Sequence, residues 1–314
     1  MTRVVIPAYE PESLQRYERG NMEFIISIMT QGLVYAILAL GVYITYKILD
    51  FPDLTVDGSF PLGAAITALL ITKGVNPYLT LPIAFAAGAV AGILTGIIHV
   101  KFKVRDLLAG IIMMTALWTV NLRVAGTANV PLFSQETIFK NSLLESVIPA
   151  EMAPYTTLVI VILLTAVVKI ILDAYLKTKS GYLLRAVGDN DKLVTSLAKD
   201  QGNVKILGLS IANGLVALAG SIFCQEQRVF EISMGTGAVV IGLASVIIGT
   251  SLLKKVSFVK STTAVIIGSI LYKACVALAL KQFEAQDIKF VTAALFLAVL
   301  IISMERRKKV KTDA

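Results

Sequence analysis

Three carboxylates, Asp50, Asp53 and Asp57, fall within the stretch LDFPDLTVDGSFPLGAA (residues 49–65), with Pro52 and Pro61 among them. The segment lies between two long apolar runs. Two roles fit that composition. It is an ordinary loop whose acids are solvated, or it is non-helical backbone lining a polar path through a membrane. Irregular backbone at membrane depth is tolerated only against protein or a water-filled cavity. Asp50 and Asp53, near Lys47, suit the solvated loop. Thr55, Asp57 and Ser59 suit the path, where they can satisfy freed backbone groups or face the solute, and Asp57 is expected to be the most buried of the carboxylates.

Other polar groups in apolar surroundings are candidates on the same ground. Trp118 and Asn121 can face such a path. Asn213 can touch solute or bond between helices, the second being the simpler role. Lys169 and Asp173, spaced i and i+4, suit a mutual pair. Lys273 falls near the middle of an apolar run and must face protein, a cavity or a partner. Glu226, Arg228 and Glu231 form a polar cluster expected at the outer surface. Catalysis finds little support. His99 is the single histidine and is expected at an interface. Cys224 and Cys275 form neither a CxxC nor a metal spacing. No metal site and no catalytic residue is assigned.

The elements that must position these residues are membrane helices. The 314 residues are 56% hydrophobic and 16% charged, with mean hydropathy +0.78, against about 25% charge in ordinary soluble domains. Runs of roughly 20 apolar residues read as spans. They are placed at Phe24–Ile48, Asp57–Ile71 (short and broken), Leu79–Val100, Leu107–Val124, Tyr155–Leu176, Ile206–Gln225, Gly235–Leu253, Thr262–Leu280 and Phe290–Met304. The fourth and seventh are candidates for half-spans. The expected fold is an all-α polytopic membrane protein of eight or nine transmembrane helices, some broken or re-entrant. The pieces LTLPIAFAAGAVAG (79–92) and LGLSIANGLVALAG (207–220) agree at seven of fourteen positions, a candidate inverted repeat. Their small residues (Ala87, Gly88, Ala91, Gly92, Ala217, Gly220) suit close helix approach.

Residues 1–21 read as a polar, poorly ordered tail without the pattern of a cleaved signal, and Met22 is a second candidate start. Residues 22–304 form the membrane domain and 305–314 a basic tail. The net charge of +8 is not a nucleic-acid signature, because the basic residues sit in short clusters between spans. With Lys and Arg kept inside, ERRKKVK is cytoplasmic, as are the joints at Lys47, 101–105, 177–205 and 254–260. Nine crossings then put the N-terminus outside, in an inner (cytoplasmic) membrane. The outer segment SQETIFKNSLLES is a candidate surface helix.

The inner loop 177–205 carries an amphipathic pattern. Asp189 or Asn190 can cap a helix, Leu193, Val194 and Leu197 share a face, and Gly202 suits a left-handed C-terminal cap. Such a helix lies on lipid headgroups or docks on a soluble partner. LLRAVGDNDKLVTSLAKDQGNVKILGLSIANGLVALAGSI, followed by MGTGAVVIGLASVIIG, resembles the permease subunits of ABC importers of the branched-chain amino acid and ribose class, nearest the subgroup of tryptophan/tyrosine transporters. GLVYAILALGVYIT and FPDLTVDGSFPLGAA resemble the same class, and the likeness covers nearly all of residues 22–304. The matching positions in the loop are Arg185, Ala186, Gly188, Asn190 and Gly202, and Leu193–Ser196 departs from the alanines common there. The resemblance implies a coupling helix for an ABC ATPase, two permease copies (a homodimer), an extracytoplasmic substrate-binding protein, and a small polar solute such as an amino acid. The chain has no GxxxxGK[ST], so ATP and Mg would be held by the ATPase and the chain itself binds no cofactor. A secondary transporter or channel working without an ATPase is the alternative, and it would have no need of the cytoplasmic helix.

Overall fold

The computed structural model describes residues 11–142, 146, 152–189, 200–253, 259–280, 287 and 290–301, with 11–21 and 153–154 described as backbone only. The elements follow the hydropathy pattern closely. α1 (Pro11–Val42) runs into a π-helical turn, Tyr43–Ile48. α2 (Val56–Thr72), α3 (Pro77–Val100) and α4 (Asp106–Ala125) follow. A short strand β1 (Asn129–Pro131) precedes α5 (Ala153–Tyr175) and α6 (Lys179–Asp189). α7 (Gln201–Gln227) leads into β2 (Val229–Glu231), which pairs antiparallel with β1. A 3-10 turn (Ile232–Gly235), α8 (Ala238–Leu252), α9 (Ser261–Ala279) and the shorter α10 (Phe290–Ile301) complete the order.

Among the described residues, seven segments are long and apolar enough to cross a membrane: Met22–Ile48, Pro77–Val100, Asp106–Ala125, Tyr155–Tyr175, Gln201–Gln227, Ile232–Leu252 and Ser261–Ala279. Val56–Thr72 and Phe290–Ile301 are shorter apolar helices. The fold is an all-α polytopic membrane protein. The fourth span is a continuous 20-residue helix rather than a half-span. The seventh is interrupted, entering through the 3-10 turn and Gly237 (φ 84°) before α8 begins. α1 starts at Pro11, so part of the segment expected to be a tail is helical. In the segment expected to form a surface helix, residues 134–141 are turns, bends or irregular, whereas Ser142 and Ser146 at its end are helical.

The core sits where α1, α2, α7 and α8 meet, around Ile37, Leu38, Leu40, Ile44, Phe60, Leu209, Val216 and Ile222, all fully buried. α5 flanks it, contributing Val161, Val168 and Leu172 to the core, and presents Val159, Leu163, Ile170 and Ile171 outward, as a lipid-facing helix should. The two candidate repeat segments run antiparallel and pack backbone to backbone. A Cβ added to Gly88 would lie 2.3 Å from the Asn213 carbonyl oxygen, and one added to Gly92 would lie 2.1 Å from that of Leu209. Where lipid competes equally for apolar side chains, such close approach supplies the packing that holds helices together.

Candidate functional site

The chain leaves the membrane-spanning part of α1 through the π-turn and reverses at Asp50, whose φ of 51° is left-handed. Residues 49–55 are not α-helical, and the helix resumes at Val56. The interruption therefore lies earlier than the sequence suggested: Thr55 precedes the helix, and Asp57, Gly58 and Ser59 are inside its first turns. Pro61 denies the Asp57 carbonyl its usual helical partner. Gly235 packs into that gap, where a Cβ would meet the Asp57 oxygen at 2.2 Å and the Pro61 ring at 2.5 Å.

Asp50 is exposed, as expected, but Asp53 is not: it is 3% exposed, the most buried of the three acids. Its Oδ1 accepts the Thr55 N–H at 2.9 Å, and its Oδ2 accepts Nδ2–H of Asn213 at 2.7 Å. Asn213 Nδ2 also donates to the Leu209 carbonyl at 3.1 Å, and its Oδ1 accepts the Ser59 hydroxyl at 2.7 Å. Thr55 Oγ1 lies 3.0 Å from Thr95 Oγ1 of α3. A buried carboxylate persists only when its oxygens are satisfied. Here the Thr55 N–H just before α2 and one carboxamide from α7 do so, the second needing residues 160 positions apart.

Asp57, expected to be the most buried, is half-buried. Its carboxylate receives the N–H groups of Gly237 (3.0 Å) and Val239 (2.8 Å). It thus caps α8 from another span, at a terminus where Gly237 has no side chain to do so. Anionic caps at helix starts satisfy free donors and complement the helix dipole. The two interrupted spans meet N-terminus to N-terminus: Asp57 caps α8, and Asp53 accepts the N–H of Thr55 just before α2. Asn121 joins them, donating Nδ2–H to the Gly58 carbonyl at 3.0 Å, while its buried Oδ1 has no partner among the described residues.

The structure thus brings Thr55, Asp57, Ser59, Asn121 and Asn213 together. Trp118 does not join them: it is 45% exposed on the outer side of α4. Sequence reasoning missed Asp53 as a buried member and missed Thr95. It also missed the continuation of the polar seam, where Thr67 Oγ1 lies 2.6 Å from Ser221 Oγ and Gln225 Nε2 donates to Thr80 Oγ1 at 3.0 Å.

At the other end of α7 the inner loop differs from expectation. α6 (Lys179–Asp189) buries Gly181, Leu184 and Val187 against the π-turn and α7, and leaves Arg185 exposed. Gly188 lies on the end of the π-turn, where a Cβ would meet the Ile48 carbonyl oxygen at 1.7 Å. Asn190, Leu193, Val194 and Leu197 lie outside the described residues. Gly202 is not a C-terminal cap. It is in the first turn of α7, where Asp200 Oδ1 accepts its N–H at 2.8 Å, because Asp200 supplies an N-cap that starts the helix there. A cavity of about 540 Å³ beside it is lined by His99, Lys103, Arg105, Asp106, Asp200 and Lys205 among others.

The other candidates divide. Lys169 does pair with Asp173 (2.9 Å), which also receives Lys260 (3.1 Å) and the Thr262 hydroxyl (2.6 Å). Arg228 is used internally, donating to the Phe133 and Gln135 carbonyls. Among the described residues no three His, Cys, Asp or Glu side chains gather as metal ligands.

Residues 24–304 match the family model described as branched-chain amino acid transport system / permease component. The chain is 43% identical over 294 residues (93% of this chain, 96% of the relative) to a tyrosine transport system permease protein of Clostridioides difficile. It is 26% identical over 235 residues (74% and 71%) to a ribose import permease protein of Haemophilus influenzae. No solved structure matches it significantly.

Proposed function

The chain belongs to the permease family of the branched-chain amino acid transport systems, and from that premise we propose that it is the membrane-spanning subunit of an ATP-driven importer carrying an amino acid inward across the cytoplasmic membrane. As a transport permease subunit it is a multi-pass membrane protein and not itself an enzyme. The observation that carries the reading is the meeting of two interrupted spans at Asp53, Asp57 and Asn213. Helix starts inside the membrane, with their free N–H groups, are the parts from which solute paths are built. In this reading Thr55, Asp57, Ser59, Asn121 and Asn213 border the path. The name of the Clostridioides difficile relative favours an aromatic amino acid as solute.

ATP and Mg would be held by two ABC ATPase chains docked on the cytoplasmic side, and solute would be delivered by an extracytoplasmic binding protein to a homodimer of this chain. The C-terminus is then cytoplasmic and the N-terminus outside. α6 and the residues after it form the coupling element: Arg185 is on its outward side and Gly188 on its contact with the π-turn. Closure of the ATPases would move that contact and, through α7, the base of the polar cluster. Leu193→Asp is expected to abolish stimulation of the ATPase while the protein remains membrane-inserted.

Native affinity purification through a tag on this chain, in mild detergent with nucleotide present, tests the reading. A Walker-type ATPase recovered in roughly equal amount, identified by mass spectrometry, supports it. Repeated absence of an ATPase, with uptake that needs no ATP, overturns it in favour of a stand-alone transporter.

A further inference from the structure

α3 ends, and α4 and α7 begin, around the cavity of about 540 Å³. Gly202 lets the start of α7 rest on the end of α3, where a Cβ would meet Val100 Cγ1 at 2.4 Å. The turn from α3 to α4 closes another side. In it His99 Nδ1–H donates to the Val104 carbonyl at 2.9 Å, and Lys103 is held at φ 55°. Lys103, Arg105 and Lys205 line the cavity together with Asp106, Asp200 and Gln201. The two acids are already engaged. Asp200 Oδ1 accepts the Gly202 N–H and its Oδ2 accepts Asn203 Nδ2–H, both at 2.8 Å, while Asp106 Oδ1 accepts the Leu107 N–H at 2.9 Å. The cations of the turn are not engaged. Among the described residues neither Lys103 nor Arg105 makes an ion pair or a side-chain hydrogen bond, and Arg105 stands at the N-cap of α4 without capping it. Gln201 Oε1 is buried and has no donor among the described residues.

The lining thus carries three cations against two carboxylates, and an acceptor that lacks a donor. Its volume falls in the range of about 300–1,000 Å³ that holds small ligands. The cavity also stands at the ends of three membrane helices. Phe102, Leu107, Leu108 and Leu207 flank it, 72%, 46%, 50% and 43% exposed. An amphiphile with an anionic, hydroxyl-bearing head answers both the charge and the apolar flank, whereas an acidic peptide would leave the flank bare. We propose that the cavity receives the headgroup of an anionic phospholipid of the phosphatidylglycerol class. Lys103 and Arg105 hold the phosphodiester, to which a guanidinium is matched in shape. Gln201 Oε1 accepts a headgroup hydroxyl, and the acyl chains lie along the exposed residues of α4. Basic pockets between the ends of membrane helices suit such heads. A headgroup held there ties α4 to α7, the helices that carry Asn121 and Asn213. The inference needs neither the ATPase nor the identity of the solute.

The test uses the full chain, purified through its tag with its bound partners in mild detergent. The melting temperature is read against added dioctanoyl phosphatidylglycerol, with dioctanoyl phosphatidylcholine, sodium phosphate and glycerol 3-phosphate as controls. Native mass spectrometry reads lipid carried through purification. Phosphatidylglycerol should raise the midpoint saturably, or be found already bound, and the controls should do neither. Lys103→Gln with Arg105→Gln should raise the half-saturating concentration about tenfold or more, through loss of charge-assisted bonds, and should strip the carried lipid. Its lipid-free midpoint should hold, since neither side chain has an internal partner; Arg105→Gln alone gives the same reading, smaller, if the double variant does not fold. Lys101→Gln, an exposed neighbour outside the cavity, should stay within about twofold of wild type. Neither a midpoint shift nor carried lipid in the wild type would overturn the proposal. So would an equal response to phosphatidylcholine, or an equal loss in Lys101→Gln, which marks general attraction to a basic surface. Saturation by sodium phosphate or glycerol 3-phosphate in competition with the lipid would overturn the lipid as occupant. An unchanged lipid response in the double variant, with the ATPase lost from it, would overturn the proposal in favour of a contact with an acidic segment of that partner.

Discussion

Replacing Asn213 by leucine removes the one side chain that joins α7 to both Asp53 and Ser59 at similar volume. In the wild type its Nδ2 donates to Asp53 Oδ2 at 2.7 Å and its Oδ1 accepts from Ser59 at 2.7 Å. In Asn213→Leu the Asp53 carboxylate keeps the Thr55 N–H but loses its other partner in a place 3% exposed. Stranding a buried charge in this way costs about 3–5 kcal/mol, and an unpaired hydroxyl about 1–3 kcal/mol. Asp53→Asn behaves differently. Its Oδ1 still accepts from Thr55, and a flip of the Asn213 carboxamide lets the new amide donate to Asn213 and Asn213 donate to Ser59. That substitution should cost about 1 kcal/mol, one ordinary hydrogen bond at most. Thermal unfolding of the detergent-solubilised protein reads the difference. At roughly 2 °C per kcal/mol for a chain of this size, Asn213→Leu should lower the apparent midpoint by about 8–15 °C and Asp53→Asn by about 2 °C. The double variant should recover a large part of the loss, because a neutral amide is far cheaper to strand than a carboxylate. Equal shifts in the two single variants, or no recovery in the double, would refute the account of Asp53 as a buried charge held by Asn213.

Asp57→Ala should destabilise by about 1–2 kcal/mol through loss of the α8 cap, and Asp57→Asn by less, both read as midpoint shifts. Cysteine at position 57, in a background lacking Cys224 and Cys275, should react with an aqueous thiol reagent to different extents with and without nucleotide; constant labelling would remove Asp57 from the path. Gly92→Val should prevent the α3–α7 approach and abolish recovery of monodisperse protein on gel filtration, because the contact is with backbone and cannot be relieved by a rotamer change. Asp173→Asn should cost only about 1 kcal/mol, and less in high salt, since Lys260 is 57% exposed.

Hydropathy carried the span positions because a lipid-facing helix such as α5 must be apolar over most of its length, whatever it packs against, and its two charges, Lys169 and Asp173, pair with each other. The site was harder to read for a specific reason. The stretch 49–65 announced itself by its acids and prolines, but which acid turns inward depends on Asn213, 160 residues away, and on the start of α8, 180 residues from Asp57. Local chemistry put Asp53 in the solvated loop beside Lys47 and Asp57 inside; the distant partners reverse their order of burial. One signal was legible and went unread. Asn213, Ser221 and Gln225 lie eight and four residues apart in α7, so they fall on one stripe facing α2 and α3. Gly202 misled because a glycine after an amphipathic stretch is the usual mark of a helix end, whereas here Asp200 two residues earlier begins the next helix.

The separation of these partners also orders events in time. Asp53 and Asp57 leave the ribosome long before the residues that satisfy them. At 5–20 residues per second, the 160 residues to Asn213 take roughly 10–30 s to synthesise. Through that interval the second span has its carboxylates but neither the carboxamide nor the helix start that they serve. It is also the shorter and more interrupted of the early spans. Its final seating must therefore wait for α7 and α8, and the first half of the chain is completed by the second rather than handed to it finished.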